Sequence, residues 1–357
     1  MKVLFTTRAS LFSQPGGDTQ QIVQTANSLK LLGHQVDIVL RGEKIQLEKY
    51  DIVHFFNLGR PADLVEILPR ITQPLVVSSI WVDYSEYDHQ RSGTVGKIKN
   101  IFGYDAVEYA KSLARGINGS DKLPGWHYIK QGHHESMRLI AERADAVICS
   151  SISEKNRINK NLTPKALTHV IPLGLPDNYF EPFEEKPRAG VICVGRIEGL
   201  KNQLNLIHAA HSADWNLRII GKPSLNQREY YQSCINAATS NVEFVGWLDG
   251  DHLLDAYRSA RVLVIPSYFE TFGLVGLEAL SQGCNLVIAD RPDMNEIFKE
   301  RALKFNPNSP QDIREKIEKA LQETPKPLTK TEIKTHSWKN IATQIIDVYE
   351  TVLEIKK

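Results

Sequence analysis

Two glutamates in the second half of the chain have the type and spacing to bind a polar ligand. Glu270 lies in the polar segment Ser267 to Gly273, and Glu278 falls one to two turns into the helical pattern that follows. Carboxylates accept charge-assisted hydrogen bonds from hydroxyl groups. Backbone N–H groups at the start of a helix, together with the helix dipole, attract an anion. The combination predicts a ligand that carries a diphosphate between polyhydroxyl rings, and a sugar nucleotide has this composition.

A strand, a loop, a helix and a second strand must position these carboxylates. Arg261 to Pro266 is an apolar run typical of a strand buried on both faces, and Asn285 to Ala289 is a second such run. Ligands of parallel sheets bind at the carboxyl ends of the strands, which is where Glu270 falls. The alternative for either glutamate alone is structural, with Glu270 near a helix cap and Glu278 in solvent.

The helix between these strands begins at Thr271 or Gly273 and ends near Gly283. Its first residues are expected to present backbone N–H groups to the ligand, and a glycine there permits close approach of the backbone. The residues predicted to contact a donor at this helix start are Thr271, Phe272, Gly273 and Leu274.

A pair of cations follows another buried-type strand earlier in the same half. The strand Val191 to Val194 ends in Gly195-Arg196, and Lys201 comes five residues after Arg196. A guanidinium binds a diphosphate bidentately, and a lysine adds a compact charge. The pair predicts a phosphate clamp, whereas the structural alternative is a strand end with exposed charges.

These motifs resemble a known family. The segment PSYFETFGLVGLEAL, with Glu270 and Glu278, resembles the E-x7-E motif of retaining GT-B glycosyltransferases of the GT4 type, and Arg196 with Lys201 resembles its G-R-x4-K motif. The resemblance covers nearly the whole chain but is looser in the N-terminal half. It implies an α/β fold of two Rossmann-like, doubly wound domains that face each other across a cleft, with a C-terminal helix that crosses back to the first domain.

The expected domains are 1–178 on the acceptor side, with the helix 338–357 packed on it, and 188–337 on the donor side. By resemblance the catalytic residues are Arg196, Lys201 and Glu270. Glu270 would bind the sugar hydroxyls and Glu278 the ribose hydroxyls. The loop that contains Trp247 would recognise the base.

Gly16 and Gly17 follow the first strand and are expected, by resemblance, to contact the donor from across the cleft. A dinucleotide-binding loop would need a further glycine where the chain has Gln20 and Gln21, which disfavours a nicotinamide or flavin cofactor. A plain structural turn remains an alternative for this loop.

The acceptor-side candidates are Trp81, Asp83 and His134. Many GT4 members carry a histidine in a P-H-G context where this chain reads Ser-Ile-Trp-Val-Asp, so that histidine is not transferred. Trp81 and Asp83 have groups that stack on and hydrogen-bond a sugar. Ordinary packing at a strand end is the alternative.

No metal or cofactor is predicted. Asp249-Gly250-Asp251 resembles the D-x-D metal motif of another glycosyltransferase class, but it directly precedes a helix, where an aspartate caps the first turn. His133 and His134 lack further ligands at metal spacing. Four well-separated cysteines indicate reduced core residues.

Composition excludes several other classes. The 357 residues favour two domains, and a formal charge of +1 gives no drive toward nucleic acid. No signal peptide or membrane-length apolar run is found, which predicts a cytoplasmic protein. The basic and aromatic segment Tyr84 to His134 suits either a solvated surface or peripheral contact with the inner face of the plasma membrane. Nothing indicates an oligomeric state.

The predicted activity is transfer of a hexose from a nucleotide diphosphate sugar, with UDP-glucose favoured, to a glycan or lipid-linked acceptor, with retention and without a metal. The predicted role is assembly of a bacterial surface polysaccharide. The alternatives are a GDP-mannose-dependent mannosyltransferase, a sugar-nucleotide epimerase of the same fold, and an inactive sugar-nucleotide-binding subunit.

Overall fold

A computed structural model describes residues 1–81, 107–117, 119, 121–162, 164–181, 187–224 and 227–355. The chain divides into two compact units. The first comprises Met1–Gly174 together with His336–Lys357, and the second comprises Leu175–Thr335. The last helix therefore belongs to the first unit.

The first unit contains a six-stranded sheet in which all strands are parallel. Its strands are β1 (Lys2–Thr7), β2 (Gln35–Leu40), β3 (Ile52–Phe56), β4 (Leu75–Ser78), β5 (Ala146–Cys149) and β6 (Leu167–Val170). They lie in the order β2-β1-β3-β4-β5-β6. The strand order reverses between β1 and β3, and such a reversal opens a crevice at the carboxyl ends of the strands.

Helices surround the first sheet. The α-helices are Gly17–Leu31, 107–117, Trp126–Gln131, His133–Arg143, Ile152–Leu162 and Trp338–Ile355. The segment from Pro61 to Arg70 forms two short 3-10 helices, Pro61–Asp63 and Leu68–Arg70. Pro69 lies in the second of these, and an α-helix does not continue through it because proline lacks the backbone N–H and clashes with the preceding turn.

The C-terminal helix Trp338–Ile355 supplies one face of the first unit's core. Its buried side chains recur at helical spacing and join the core formed by the sheet and the helix Gly17–Leu31. Each large apolar side chain buried in this way contributes about 1.5–3 kcal/mol. The fit is close, since a Cβ added at Gly174 would lie 2.6 Å from the Trp338 ring.

The second unit contains another six-stranded parallel sheet. Its strands are β7 (Val191–Val194), β8 (Leu217–Ile220), β9 (Val242–Gly246), β10 (Val262–Ile265), β11 (Asn285–Ala289) and β12 (Ala302–Phe305). They lie in the order β12-β11-β10-β7-β8-β9, so the reversal falls between β10 and β7. The α-helices are Gln203–Ala210, Arg228–Ala237, Gly250–Ser259, Leu274–Ser281, Pro292–Phe298, Pro310–Gln322 and Lys330–Thr335.

The predicted fold class, two doubly wound α/β domains with a C-terminal helix that returns to the first, is confirmed. All four cysteines are buried and free, in agreement with the sequence interpretation. Within the ranges that the structure describes, no helix combines the length and apolar character needed to cross a membrane.

Candidate functional site

The predicted clamp residues meet at the strand reversal of the second sheet. Arg196 follows β7 and Glu270 follows β10, which are the two neighbouring strands at that point. From here the chain connections lead to opposite sides of the sheet, which leaves a crevice for a ligand.

Lys201 and Glu270 are joined directly. Lys201 Nζ lies 2.5 Å from Glu270 Oε1, and the Ser267 hydroxyl donates to the same oxygen at 2.7 Å. The two side chains of the ion pair are 23% and 13% exposed. An ammonium group has three donors, so Lys201 can hold Glu270 and still donate to an anion.

Asn202 fixes this pair in place, although the sequence analysis did not single it out. It adopts the left-handed conformation, with φ of 55°, which asparagine tolerates better than most residues. Its side-chain amide donates to the carbonyls of Pro266 at 3.1 Å and Pro307 at 2.8 Å. The loop after β7 is thereby tied to the loop after β10. The signal in the sequence was an asparagine directly after the clamp lysine.

Arg196 is the most accessible of the clamp residues, with 57% of its side chain exposed. Its Nη2 donates to Glu198 Oε1 at 3.2 Å. Gly195 and Gly221 beside it both have φ of 148°, and a Cβ at Gly221 would lie 2.0 Å from the Gly195 carbonyl oxygen. Only glycine permits the ends of β7 and β8 to approach so closely.

The helix after the Glu270 loop begins at Leu274. Gly273 precedes it as the cap residue, with φ of 71°. Of the two helix starts that the sequence allowed, Thr271 and Gly273, the structure has the second. A Cβ at Gly273 would lie 3.0 Å from Met294 and in a conformation that side chains disfavour. Phe272 is buried and Thr271 is half-buried. The turn between Glu270 and the helix is therefore packed into the second unit.

Glu278 lies half-buried on that helix, one to two turns from its start. The Tyr257 hydroxyl donates to Glu278 Oε2 at 2.7 Å. Burial raises the pKa of Glu278 above its ordinary value of 4.5, although the tyrosine bond partly offsets the rise. Tyr257 is a further residue that sequence reasoning missed, because it comes from a separate helix, Gly250–Ser259.

Trp247 follows β9, two strands from β7, and is 57% exposed. Nearby, Asp249 occupies the cap position of the helix Gly250–Ser259, but its side chain makes no capping hydrogen bond. Asp249 is therefore the N-cap residue that the sequence predicted, although its exposed side chain does not cap the first turn by a hydrogen bond. In the described part of the chain, His, Cys, Asp and Glu side chains form no group of three suited to a metal.

In the first unit, Gly16 and Gly17 form the start of the helix that follows β1. Gly16 is its cap residue, and the Gly16 amide donates to the Thr19 hydroxyl at 3.0 Å. An ion pair of 2.7 Å between Arg8 and Asp18 braces the loop. The loop therefore lies beside the strand reversal of the first sheet.

Trp81 follows β4 and is 7% exposed. Its indole N–H has no hydrogen-bond partner among the described residues. Its backbone N–H donates at 2.8 Å to Glu154, a fully buried carboxylate that also accepts from Ser79 and from Ser150. Ile80 has φ of 41°, a costly conformation for a β-branched residue and a frequent feature of functional sites.

The other acceptor-side candidates are less informative. Asp83 lies outside the described residues. His134 is exposed in the first turn of the helix His133–Arg143, whereas its neighbour His133 is buried and lies 2.9 Å from the Tyr128 hydroxyl.

The architecture is that of the GT-B glycosyltransferases. A sucrose-phosphate synthase from Thermosynechococcus elongatus superposes with a TM-score of 0.75 at 15% identity, over 99% of both chains. Anabaena HepE, solved in complex with UDP-glucose, superposes with a TM-score of 0.65 at 16% identity, also over 99% of both chains. At these identities the likeness establishes the fold.

A family match is found in the sequence of the second unit. Residues 177–345 match the family described as glycosyl transferases group 1. An uncharacterized glycosyltransferase of Methanocaldococcus jannaschii is 29% identical over 46% of this chain and 45% of its own length. Further matches, over 116 to 238 residues, are to proteins named as mannosyltransferases. The match spans about half the length of the first of these curated relatives.

Proposed function

We propose that the protein transfers a hexose from a nucleotide diphosphate sugar to a glycan or lipid-linked acceptor, with retention of anomeric configuration. The observation that supports this most strongly is the Lys201–Glu270 pair at the strand reversal of the second sheet. It puts a cation for the diphosphate and a carboxylate for sugar hydroxyls within one hydrogen bond of each other.

Stabilisation of the leaving group is the main catalytic device in this proposal. Negative charge develops on the departing diphosphate, and Arg196, Lys201 and the backbone amides near Gly273 stabilise it. Glu270 orients the sugar and Glu278 binds the ribose hydroxyls. The departing phosphate takes the proton of the acceptor on the same face of the sugar, so neither a protein nucleophile nor a metal is required.

UDP-glucose is the favoured donor. The support is that one fold neighbour was solved with UDP-glucose. The several relatives named as mannosyltransferases support GDP-mannose as the second candidate. The exposed ring of Trp247 is proposed to lie against the base, since a large planar side chain stacks on either nucleobase.

The acceptor is assigned to the first unit. The buried indole N–H of Trp81 is proposed to donate to an acceptor hydroxyl, because an unpaired buried donor costs about 1–3 kcal/mol unless a ligand satisfies it. Gly16 and Gly17 are kept as proposed donor contacts. The proposed setting is assembly of a bacterial surface polysaccharide on the cytoplasmic side.

A thermal-shift panel of UDP-glucose, GDP-mannose and an ADP-sugar identifies the donor, because only a bound ligand raises the melting temperature by mass action. Incubation of that donor with a glycan or lipid-linked acceptor should then release free nucleotide and form a glycoside. A changed sugar nucleotide without acceptor would instead establish an epimerase. Stabilisation with no turnover for any acceptor would favour a binding subunit, and no stabilisation by any donor would contradict the proposal.

A further inference from the structure

Each cation of the clamp has a carboxylate partner of its own. Lys201 pairs with Glu270 at 2.5 Å, and Arg196 donates through Nη2 to Glu198 Oε1 at 3.2 Å. The charges of these two ion pairs cancel. A diphosphate that enters the clamp must therefore compete with a carboxylate for each cation. Glu270 is assigned to the sugar in the proposed function, whereas Glu198 has no role in it.

Glu198 is fixed in place by further hydrogen bonds. Its Oε2 accepts from the Ser224 hydroxyl at 2.7 Å, and its backbone N–H donates to Gln203 Oε1 at 3.4 Å. Gln203 is fully buried and also donates to the Arg196 carbonyl at 2.8 Å. The side chain of Glu198 is 14% exposed, against 57% for Arg196. The carboxylate is therefore the fixed member of the pair, and the guanidinium is the member that can turn toward a ligand.

A fixed carboxylate beside a diphosphate site distinguishes ligands by their charge. The nucleoside diphosphate that remains after sugar transfer is more negative than the nucleotide sugar by about one charge at neutral pH, because its terminal phosphate ionises a second time with a pKa of about 6. Repulsion by a nearby carboxylate increases with the charge of the ligand. Such a carboxylate therefore weakens binding of the product more than binding of the donor.

We infer that Glu198 is a positioning residue that makes the clamp prefer a nucleotide sugar over the nucleoside diphosphate product. It acts through Arg196, because its carboxylate competes with the ligand for that guanidinium, and it repels the additional charge of the product. This role rests on the proposed function, since it requires that the clamp binds a diphosphate. The alternative is an ion pair with a structural role only, which predicts no dependence on the charge of the ligand.

Titration calorimetry of the whole protein with two ligand pairs, UDP-glucose with UDP and GDP-mannose with GDP, tests the inference. Glu198→Gln keeps the shape of the side chain and removes its charge. In this variant the Kd of the nucleoside diphosphate should fall about fivefold further than the Kd of the matching nucleotide sugar. The difference should shrink at high salt, because its origin is electrostatic. Glu198→Asp keeps the charge and should restore a ratio of the two Kd values close to that of the wild type.

Glu332→Gln is the matched control, because Glu332 also pairs with an arginine of the second unit, Arg301, at 2.7 Å. Arg301 directly precedes β12, so this pair lies near the amino ends of the strands, whereas the clamp lies at their carboxyl ends. The control should leave both Kd values unchanged. Equal changes of the two Kd values in Glu198→Gln, or no change in either, would overturn the inference and leave the proposed function standing. Binding of none of the four ligands by the wild-type protein would instead contradict the proposed function itself.

Discussion

The two units share one architecture but use the ends of their strands differently. In the second unit, the side chains at the strand reversal are half-buried or exposed and contact one another, as Lys201 and Glu270 do. In the first unit, by contrast, Glu154 near the end of β5 is fully buried and accepts four hydrogen bonds from within the unit. The strand ends of the second unit therefore carry accessible side chains that can contact a ligand, whereas Glu154 in the first unit holds neighbouring loops in position.

His54 is a second buried polar side chain in the first unit that is hydrogen-bonded within the core. It lies inside β3, fully buried, with its ring nitrogens 2.6 Å from the Tyr349 hydroxyl and 2.9 Å from the Ser78 hydroxyl. Burial lowers the pKa of His54 to about 3. The strand β3 continues to Phe56, so His54 lies within the strand and its side chain is part of the core.

The largest expected effect tests the chemical role of the second unit. Lys201→Ala should lower turnover about a hundredfold to a thousandfold, because a preorganised donor to the leaving group is lost. Steady-state kinetics with the identified donor measure this, and circular dichroism checks the fold. The control is Lys316→Ala, which removes another ion-paired lysine from the helix Pro310–Gln322 of the same unit. Equal turnover of Lys201→Ala and Lys316→Ala would contradict the catalytic role proposed for the strand reversal of the second unit.

The second largest effect is expected for Glu278→Gln. This variant should reduce donor affinity about tenfold, because a charge-assisted hydrogen bond to the donor is lost. Since burial raises the folded-state pKa of Glu278, the charged form costs stability, and this cost appears as the pH rises through the raised pKa. The glutamine variant should therefore melt at the same or a higher temperature at neutral pH. Calorimetry of both proteins measures binding and melting together.

The pH dependence of donor affinity separates this charge effect from simple damage. In the wild-type protein, affinity should fall with decreasing pH at a higher pH than an ordinary glutamate would give. Tyr257→Phe keeps the carboxylate and should retain that dependence, whereas Glu278→Gln should abolish it. A variant with unchanged affinity and unchanged pH profile would remove Glu278 from the donor site.

A smaller effect tests the acceptor assignment in the first unit. Trp81→Phe should raise the acceptor KM about fivefold, as loss of one hydrogen bond predicts, and leave the donor KM unchanged. Stability should fall modestly, because the smaller ring leaves a cavity at a buried site, although no hydrogen bond to the described residues is lost. Trp338→Phe is the control, since that indole N–H also lacks a partner in the described ranges but lies in the core. The same acceptor KM change in both variants would argue against a specific contact.

The smallest effect tests the structural role of the hydrogen bond between His54 and Tyr349. Tyr349→Phe removes the hydroxyl beside His54 and should cost about 1 kcal/mol of the free energy of unfolding. Denaturant titration measures that cost, and kcat should stay within error of the wild type. A large loss of turnover without a loss of stability would mean that the first unit does chemistry through this network.

The same contrast explains how much could be predicted from the sequence. Arg196, Lys201, Glu270 and Glu278 are readable because short motifs at strand ends carry them, and local spacing fixes their surroundings. Tyr257 and Asn202 were missed, since their partners lie on other elements and only tertiary packing brings them together.

In the first unit, polar residues pair over long separations, as His54 does with Tyr349, and no local pattern reveals such pairs. The roles of the proposed site residues stay predictions that the experiments above address. The fold itself was predictable, because apolar runs separated by helical spacing determine the order of elements.

The last helix has a consequence for how the chain is made. Residues 338–355 complete a core whose other members lie before position 172, while Leu175–Thr335 form a unit of their own. On the ribosome, the first unit cannot complete its core until residues 338–355 have emerged, whereas the second unit can fold before that. The nascent first unit therefore exposes an apolar groove while the second unit is being made. Chaperone capture at that groove, followed by release once the helix Trp338–Ile355 packs into it, is the expected order of events.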